Sequence, residues 1–281
     1  MSRPSHSRPR LLLPFAGTLV LCWAVETPAA EPEEKAADRK ALQEVWDEIG
    51  TPGLRPDRQA ETLPKAPEFA PERLKQFPKV GDDNVLRRAA RKARAAVWAV
   101  AAEAGGGPAD FLTEVQQLRQ TAGLGLSVLK DGMRAPPNEA KFKEELRTRQ
   151  LEVARAMGVL DDVYQDLLAA GMRRGRETKR WQANYDLVKA RLEVQIAFLY
   201  EYQSALGKAR IDLPPRDPAL HSGWVLESQE KVTGDSAGKK LYKQAQKTFD
   251  YIITEYAGTP WEVLARREKE RLIGLDWKAV P

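Results

Sequence analysis

Apolar residues recur at steps of three and four along most of this 281-residue chain, the period of an amphipathic helix. The longest run covers 176–206. Trp181, Tyr185, Val188, Leu192, Ile196 and Leu199 make one stripe, Phe198, Tyr202 and Leu206 widen it, and Gly207 stands where the helix is expected to stop. Trp181 and Tyr185 are expected in the core, and Tyr202, at the edge of the stripe, on the surface. A second long helix is predicted from Asn138 as its cap, through Phe142, Leu146, Val153, Met157, Leu160 and Leu167, with Gly158 as a bend and Gly171 as its stop.

Shorter helices are predicted over 34–49, where Leu42, Val45, Trp46 and Ile49 share a face, from Asp82 or Asp83 to Glu103, and from Pro108 to Thr121. A helical pair closes the chain at 238–256 and 260–273. Pro52, Pro56, Pro64, Pro67, Pro71 and Pro78 forbid a long helix between 50 and 80, and an extended strap is expected there, lying in part against helices through Leu54, Leu63, Phe69, Leu74 and Phe77. No strand is predicted. The fold expected is all-α, an elongated antiparallel helical bundle. Its divisions are 1–30, 31–80 (helix and proline-rich strap), 81–207 (bundle), 208–236 (proline-rich connector) and 237–281 (helical hairpin and tail).

The first thirty residues change this picture. A start carrying Arg3, Arg8 and Arg10, an uncharged run from Leu11 to Val25 and a small-residue exit at Ala29-Ala30 have the pattern of a secretory signal peptide, with cleavage near Ala29 or Ala30. The run is too short, and too broken by Pro14, to span a bilayer comfortably. The expected location is therefore outside the cytoplasm, periplasmic or at the cell surface, with no transmembrane segment in the mature chain. A lipid anchor at Cys22 would need a small residue before it, and Leu21 is large. Cleavage would remove Cys22 and His6, leaving no cysteine and only His221. Disulfides are then excluded, and most thiol, triad and zinc chemistry with them. It would also remove three arginines and one glutamate, lowering the net charge from +5 to about +3, too little to steer the chain toward nucleic acid.

The best-specified turn is Gly258-Thr259-Pro260-Trp261-Glu262. Gly258 suits a left-handed closure of one helix, Pro260 suits the first position of the next, and Thr259 with Glu262 has the spacing of a capping box. Together with Ala245, Phe249 and Tyr256, it resembles a tetratricopeptide unit of bacterial envelope proteins, departing from that pattern at Ala257, where proline is usual. More broadly, Arg180-Trp181-Gln182-Ala183-Asn184-Tyr185-Asp186, then Tyr200-Glu201-Tyr202, then Gly258-Thr259-Pro260-Trp261 resemble an uncharacterised helical module of exported bacterial proteins, sometimes found beside von Willebrand factor A domains. The resemblance spans roughly 139–277. It implies the helical module alone, because the Asp-x-Ser-x-Ser metal site of that companion domain is absent, and it brings no catalytic residue.

Chemistry-bearing residues are sparse. His221 has no partner motif and is read as a loop residue. The carboxylate pairs Glu144-Glu145 and Asp161-Asp162 sit on amphipathic helices, where a solvated face explains them. Gly105-Gly106-Gly107-Pro108 lacks the Lys and Ser or Thr of a phosphate loop. No catalytic residue, metal site or cofactor is expected. Two basic clusters remain. One holds Arg87, Arg88, Arg91, Lys92 and Arg94. The other holds Arg173, Arg174, Arg176, Lys179 and Arg180, with Glu177 as its nearby acid, and this second cluster with Tyr202 forms the candidate contact surface. The reading is a non-enzymatic scaffold whose partner is another envelope protein. The alternative is a binder of acidic glycan or lipid headgroups through its basic helix faces.

Overall fold

The structure, a computed structural model, describes residues 40, 43–45, 47–49, 70–78, 84–100, 109–124, 134–135, 138–212 and 215–281. The expected signal peptide, Leu42, Trp46, most of the proline-rich strap and Gly105-Gly106-Gly107 lie outside these residues. The helical class holds. The helices are α1 (Pro71–Leu74), α2 (Val85–Val100), α3 (Ala109–Ala122), α4 (Glu139–Gly171), α5 (Lys179–Ile211), α6 (Ser236–Glu255) and α7 (Pro260–Lys269). Residues 43–45 and 47–49 are helical as well.

α4 and α5 are 33 residues each, about 50 Å at 1.5 Å per residue, and pack as a hairpin. Asn138 caps α4 as predicted, its side chain accepting from the Lys141 amide at 3.0 Å. α4 ends at Gly171, the predicted stop, where a side chain would lack room. A Cβ there would stand 2.1 Å from the Tyr185 hydroxyl. Gly158, read as a bend, lies inside a continuous α4, although an interior glycine costs about 0.5–1 kcal/mol relative to alanine. One glycine behaves otherwise than predicted. Gly207 does not stop α5, which continues to Ile211, its sequence after Gly207 still offering good helix formers.

α5 is the central element. From Arg180 to Leu199 every residue but Gln182 and Lys189 is buried, since α2, α4, α6 and α7 surround it. Its polar residues consequently find partners inside the protein. Arg191 and Glu268 form an ion pair at 3.1 Å with both side chains 2% exposed, and Arg191 also donates to the Ile49 carbonyl. Glu193, fully buried, accepts from the Tyr164 hydroxyl at 2.6 Å and from Gln244 at 2.7 Å. Glu201 accepts from the Thr233 amide at 2.8 Å and from the Gly234 amide.

The structure also contains an antiparallel sheet that the sequence pattern did not suggest: β1 (Arg134–Ala135), β2 (Gly223–Gln229) and β3 (Gly274–Val280), in the order β1-β2-β3, with Val225 opposite Lys278. β2 falls in the stretch read as a connector and β3 in the stretch read as a tail. Trp224 stacks on Phe142 with ring centres 5.6 Å apart, Trp277 meets the same ring edge-on at 5.2 Å, and the Trp277 indole donates to the Ala205 carbonyl at 3.0 Å. The sheet thus closes over the N-terminal end of α4 and the C-terminal part of α5. A Cβ at Gly274 would lie 2.3 Å from the Lys231 carbonyl oxygen and 2.6 Å from that of Gln229. Gly274→Ala is therefore expected to destabilise the protein by about 1–3 kcal/mol in urea unfolding. Stability equal to the parent would show that the backbones do not approach this closely.

The closing helix–turn–helix forms as predicted. Gly258 has φ +74° and Pro260 opens α7. The capping box takes another form. The Thr259 hydroxyl donates to the Tyr256 carbonyl at 2.6 Å, and Glu262 accepts from the Gly258 amide at 2.5 Å, because the Thr259 amide is already committed to Tyr256. The N-terminal segment docks on this turn. The Ala70 amide donates to the Gly258 carbonyl at 3.0 Å, and Phe77 packs on Trp261 at 5.3 Å.

Candidate functional site

The basic cluster sits at the turn between α4 and α5, where Arg174–Arg176 form a single 3-10 turn and Lys179 begins α5. The structure separates its members. Arg174 makes a forked pair with Asp186, at 2.7 and 2.5 Å, and donates to the Tyr251 and Tyr256 hydroxyls at 3.1 Å each. The bond to Asp186 raises the Arg174 guanidinium further above its ordinary value, and burial together with Asp186 pushes the Tyr256 phenol up. Lys179 pairs with Glu255 at 2.7 Å on the surface, holding that carboxyl below its usual range.

Arg180 is no surface contact. Buried to 3% exposure, it forks onto Glu48 at 2.9 and 3.1 Å and donates to the Phe77 carbonyl at 3.2 Å. Tyr202, expected on the surface, is 2% exposed, 6.1 Å from the Phe198 ring. At this level the partly exposed side of α5 carries Tyr200, Gln203 and Ser204, and Tyr202 is turned away from it into the core. Trp181 and Tyr185 are in the core as expected. Glu177 proves not to be the acid of this cluster. It takes Arg87 at 3.0 Å and Asn84, while Asp186, Glu255 and Glu48 arrive from other elements.

Two of the six expected contact residues, Arg173 and Arg176, are exposed and have no side-chain partner among the described residues. The first basic cluster is divided. Arg87 and Arg94 are buried, and burial lowers the Arg94 guanidinium to about 10, while Arg88, Arg91 and Lys92 are exposed, Lys92 pairing with Asp166 at 2.7 Å.

The motif 180–186 is a clamp. Arg180 and Asn184 lie one turn apart and grip Glu48 together. Asn184 donates to it at 2.8 Å and accepts from the Trp261 indole at 2.8 Å. Asp186, on another face, fastens the turn through Arg174 and fastens α6 through Tyr256, which donates to it at 3.1 Å. One stretch of α5 therefore holds the N-terminal segment, the α4–α5 turn and the C-terminal hairpin in fixed relation.

Next to Arg174 a surface groove of about 350 Å³ runs between α5 and α6, lined by Tyr185, Lys189, Gln244, Lys247, Thr248 and Tyr251, with Asp186, paired to Arg174, as its one carboxylate. Lys247 is exposed and unpaired among the described residues, and Tyr251 is 43% exposed. With Arg173 and Arg176, this end of the molecule offers three unpaired cations and hydroxyl donors, which suits an anionic group on a partner. Among the described residues no group of three or more His, Cys, Asp or Glu could hold a metal ion, and no helix is long and apolar enough to cross a membrane. His221 occupies a loop, its ring bonded to the Asp217 backbone amide at 3.1 Å. No family model matches the chain, and no curated protein or solved structure matches it either.

Proposed function

We propose that this chain is a non-enzymatic helical scaffold that engages another protein of the bacterial envelope after export, its leader cut near Ala29 or Ala30. The observation that carries this reading is the clamp on α5. The polar residues of α5, Arg180, Asn184, Asp186, Arg191 and Glu193, are turned inward and hold distant segments together, which makes a rigid body with grooves on its outside. The test is capture from the native envelope fraction by protein starting at Glu31, washed at low and then high salt, with the retained chain identified and the pair reconstituted from purified components. A purified pair that survives high salt supports an apolar interface. Failure of reconstitution sinks the reading.

A second reading, binding of acidic glycan or lipid headgroups, is favoured by Arg173, Arg176 and Lys247. Exposed pairs such as Lys179–Glu255 contribute little to stability, so charge can be removed here without unfolding the protein. Arg173→Ser with Arg176→Ser is expected to weaken binding to heparin or to phosphatidylglycerol vesicles about tenfold at low salt and to flatten its salt dependence. Unchanged binding and an unchanged salt slope would rule the reading out.

A further inference from the structure

The molecule carries a second groove, on the α4 side of α5 and closed at one end by the start of α6. It measures about 640 Å³, and its walls are Gly158 and Asp161 from α4, Tyr200, Gln203 and Ser204 from α5, and Asp235, the cap of α6. Along α4 the residues Leu151, Ala154, Gly158 and Asp161 follow one face at steps of three and four. Leu151 is 53% exposed, so this face begins apolar and ends acidic.

Three observations mark it as a surface left open for something. Gly158 sits within a continuous helix, yet nothing stands within 4 Å of where its Cβ would be, so packing inside the chain does not account for the glycine. Asp161 has no ion-pair partner among the described residues, and burial, with Asp162 beside it, raises its carboxyl above the usual range. The Gln203 Oε1 atom is buried without a hydrogen-bond partner among the described residues. Asp161 and Asp235 line the same groove, with Tyr200 beside them.

We infer that this groove docks an amphipathic segment of a partner protein that carries a lysine or arginine, the cation lying between Asp161 and Asp235 and an apolar neighbour lying over Leu151 and Ala154. The inference rests on the scaffold reading and names the chemistry of the partner. The two anchor points, Leu151 and Asp161, are about 15 Å apart along α4 at 1.5 Å per residue. A lysine ammonium would replace water at carboxylates that form no ion pair among the described residues, and the open Gly158 lets a backbone approach the helix.

The probe is a helical peptide with leucine and lysine on one face about 15 Å apart, titrated into the isotope-labelled mature protein and followed by amide chemical shifts. Shifts are expected at Gly158, Asp161 and Ser204. Binding should be about tenfold weaker in Asp161→Asn, lost in Gly158→Leu, and absent for the peptide with glutamate in place of lysine. Gly158→Ala and Gly158→Leu are expected to melt no lower than the parent, so a loss of binding cannot be blamed on unfolding. Equal response to the glutamate peptide, shifts confined to other surfaces, or no response at millimolar peptide overturns the inference. If the purified envelope partner binds Gly158→Leu as well as the parent, the groove is refuted and the scaffold reading stands. If no partner reconstitutes with either protein, the scaffold reading falls and this inference with it.

Discussion

Glu268→Ala is expected to cost about 3–5 kcal/mol of folding stability, because it leaves the Arg191 guanidinium buried without its counter-ion. Burial already lowers the proton affinity of Arg191, and Glu268 is the group that opposes the effect. Removal of the carboxylate also takes from Arg271 the pair it makes with the second Glu268 oxygen at 3.1 Å. Replacing both partners, as Arg191→Met with Glu268→Leu, is expected to recover most of the loss, since an apolar pair of similar volume avoids the desolvation penalty. Urea unfolding of the two single variants and the double variant measures this. A Glu268→Ala variant within about 1 kcal/mol of the parent would mean that water reaches Arg191, contrary to its burial.

The second large effect is expected at Trp261. Trp261→Ala removes a fully buried indole, its donation to Asn184 and its contact with Phe77, for a loss of about 3–5 kcal/mol. The damage should be directional. Phe77 belongs to the segment docked by the Ala70–Gly258 bond, so protease cleavage within residues 70–78 should quicken far more than cleavage within α4. A double-mutant cycle with Phe77→Ala is expected to give a coupling of about 0.5–3 kcal/mol. A coupling near zero, or cleavage no faster in 70–78 than in α4, would show that the segment is held elsewhere.

The same two sites explain how far the sequence could be read. Helix starts and stops written in local chemistry were legible: Asn138 as a cap, and Gly258 followed by Pro260 as a turn. The single-stripe reading of α5 was not adequate, because that logic assumes a solvent face, and through 180–199 the helix has almost none. Arg180 was expected on the contact surface, and Tyr202 beyond it, yet both are buried. A signal was present. Arg180, Asn184 and Arg191 fall on one helix face and Asp186 and Glu193 on another, at steps of four and seven, which is how buried polar ladders repeat. The partners, Glu48, Trp261 and Glu268, are too distant in sequence for any local pattern to connect. The sheet escaped for a similar reason. Trp224 with Leu226 and Leu275 with Trp277 alternate correctly, yet two apolar residues per strand in polar surroundings are a weak signal, and the pairing that makes them strands spans about fifty residues. Of the candidate contact residues, Arg173 and Arg176 stayed on the surface; Arg174 and Arg180 met acids that only the tertiary fold supplies.

The docking of residues 47–49 and 70–77 onto Trp261 and Arg191 also sets an order of events during synthesis. Val45, Ile49, Leu74 and Phe77 leave the ribosome early, while the surface that covers them is complete only when Glu268 has emerged roughly 190 residues later. At about 5–20 residues per second that interval is about 10–40 s, in which the nascent segment lacks its complete docking surface. Ribosome-stalled chains ending before Trp261 should therefore bind chaperones through this segment, and chains long enough to expose α7 in full should release them.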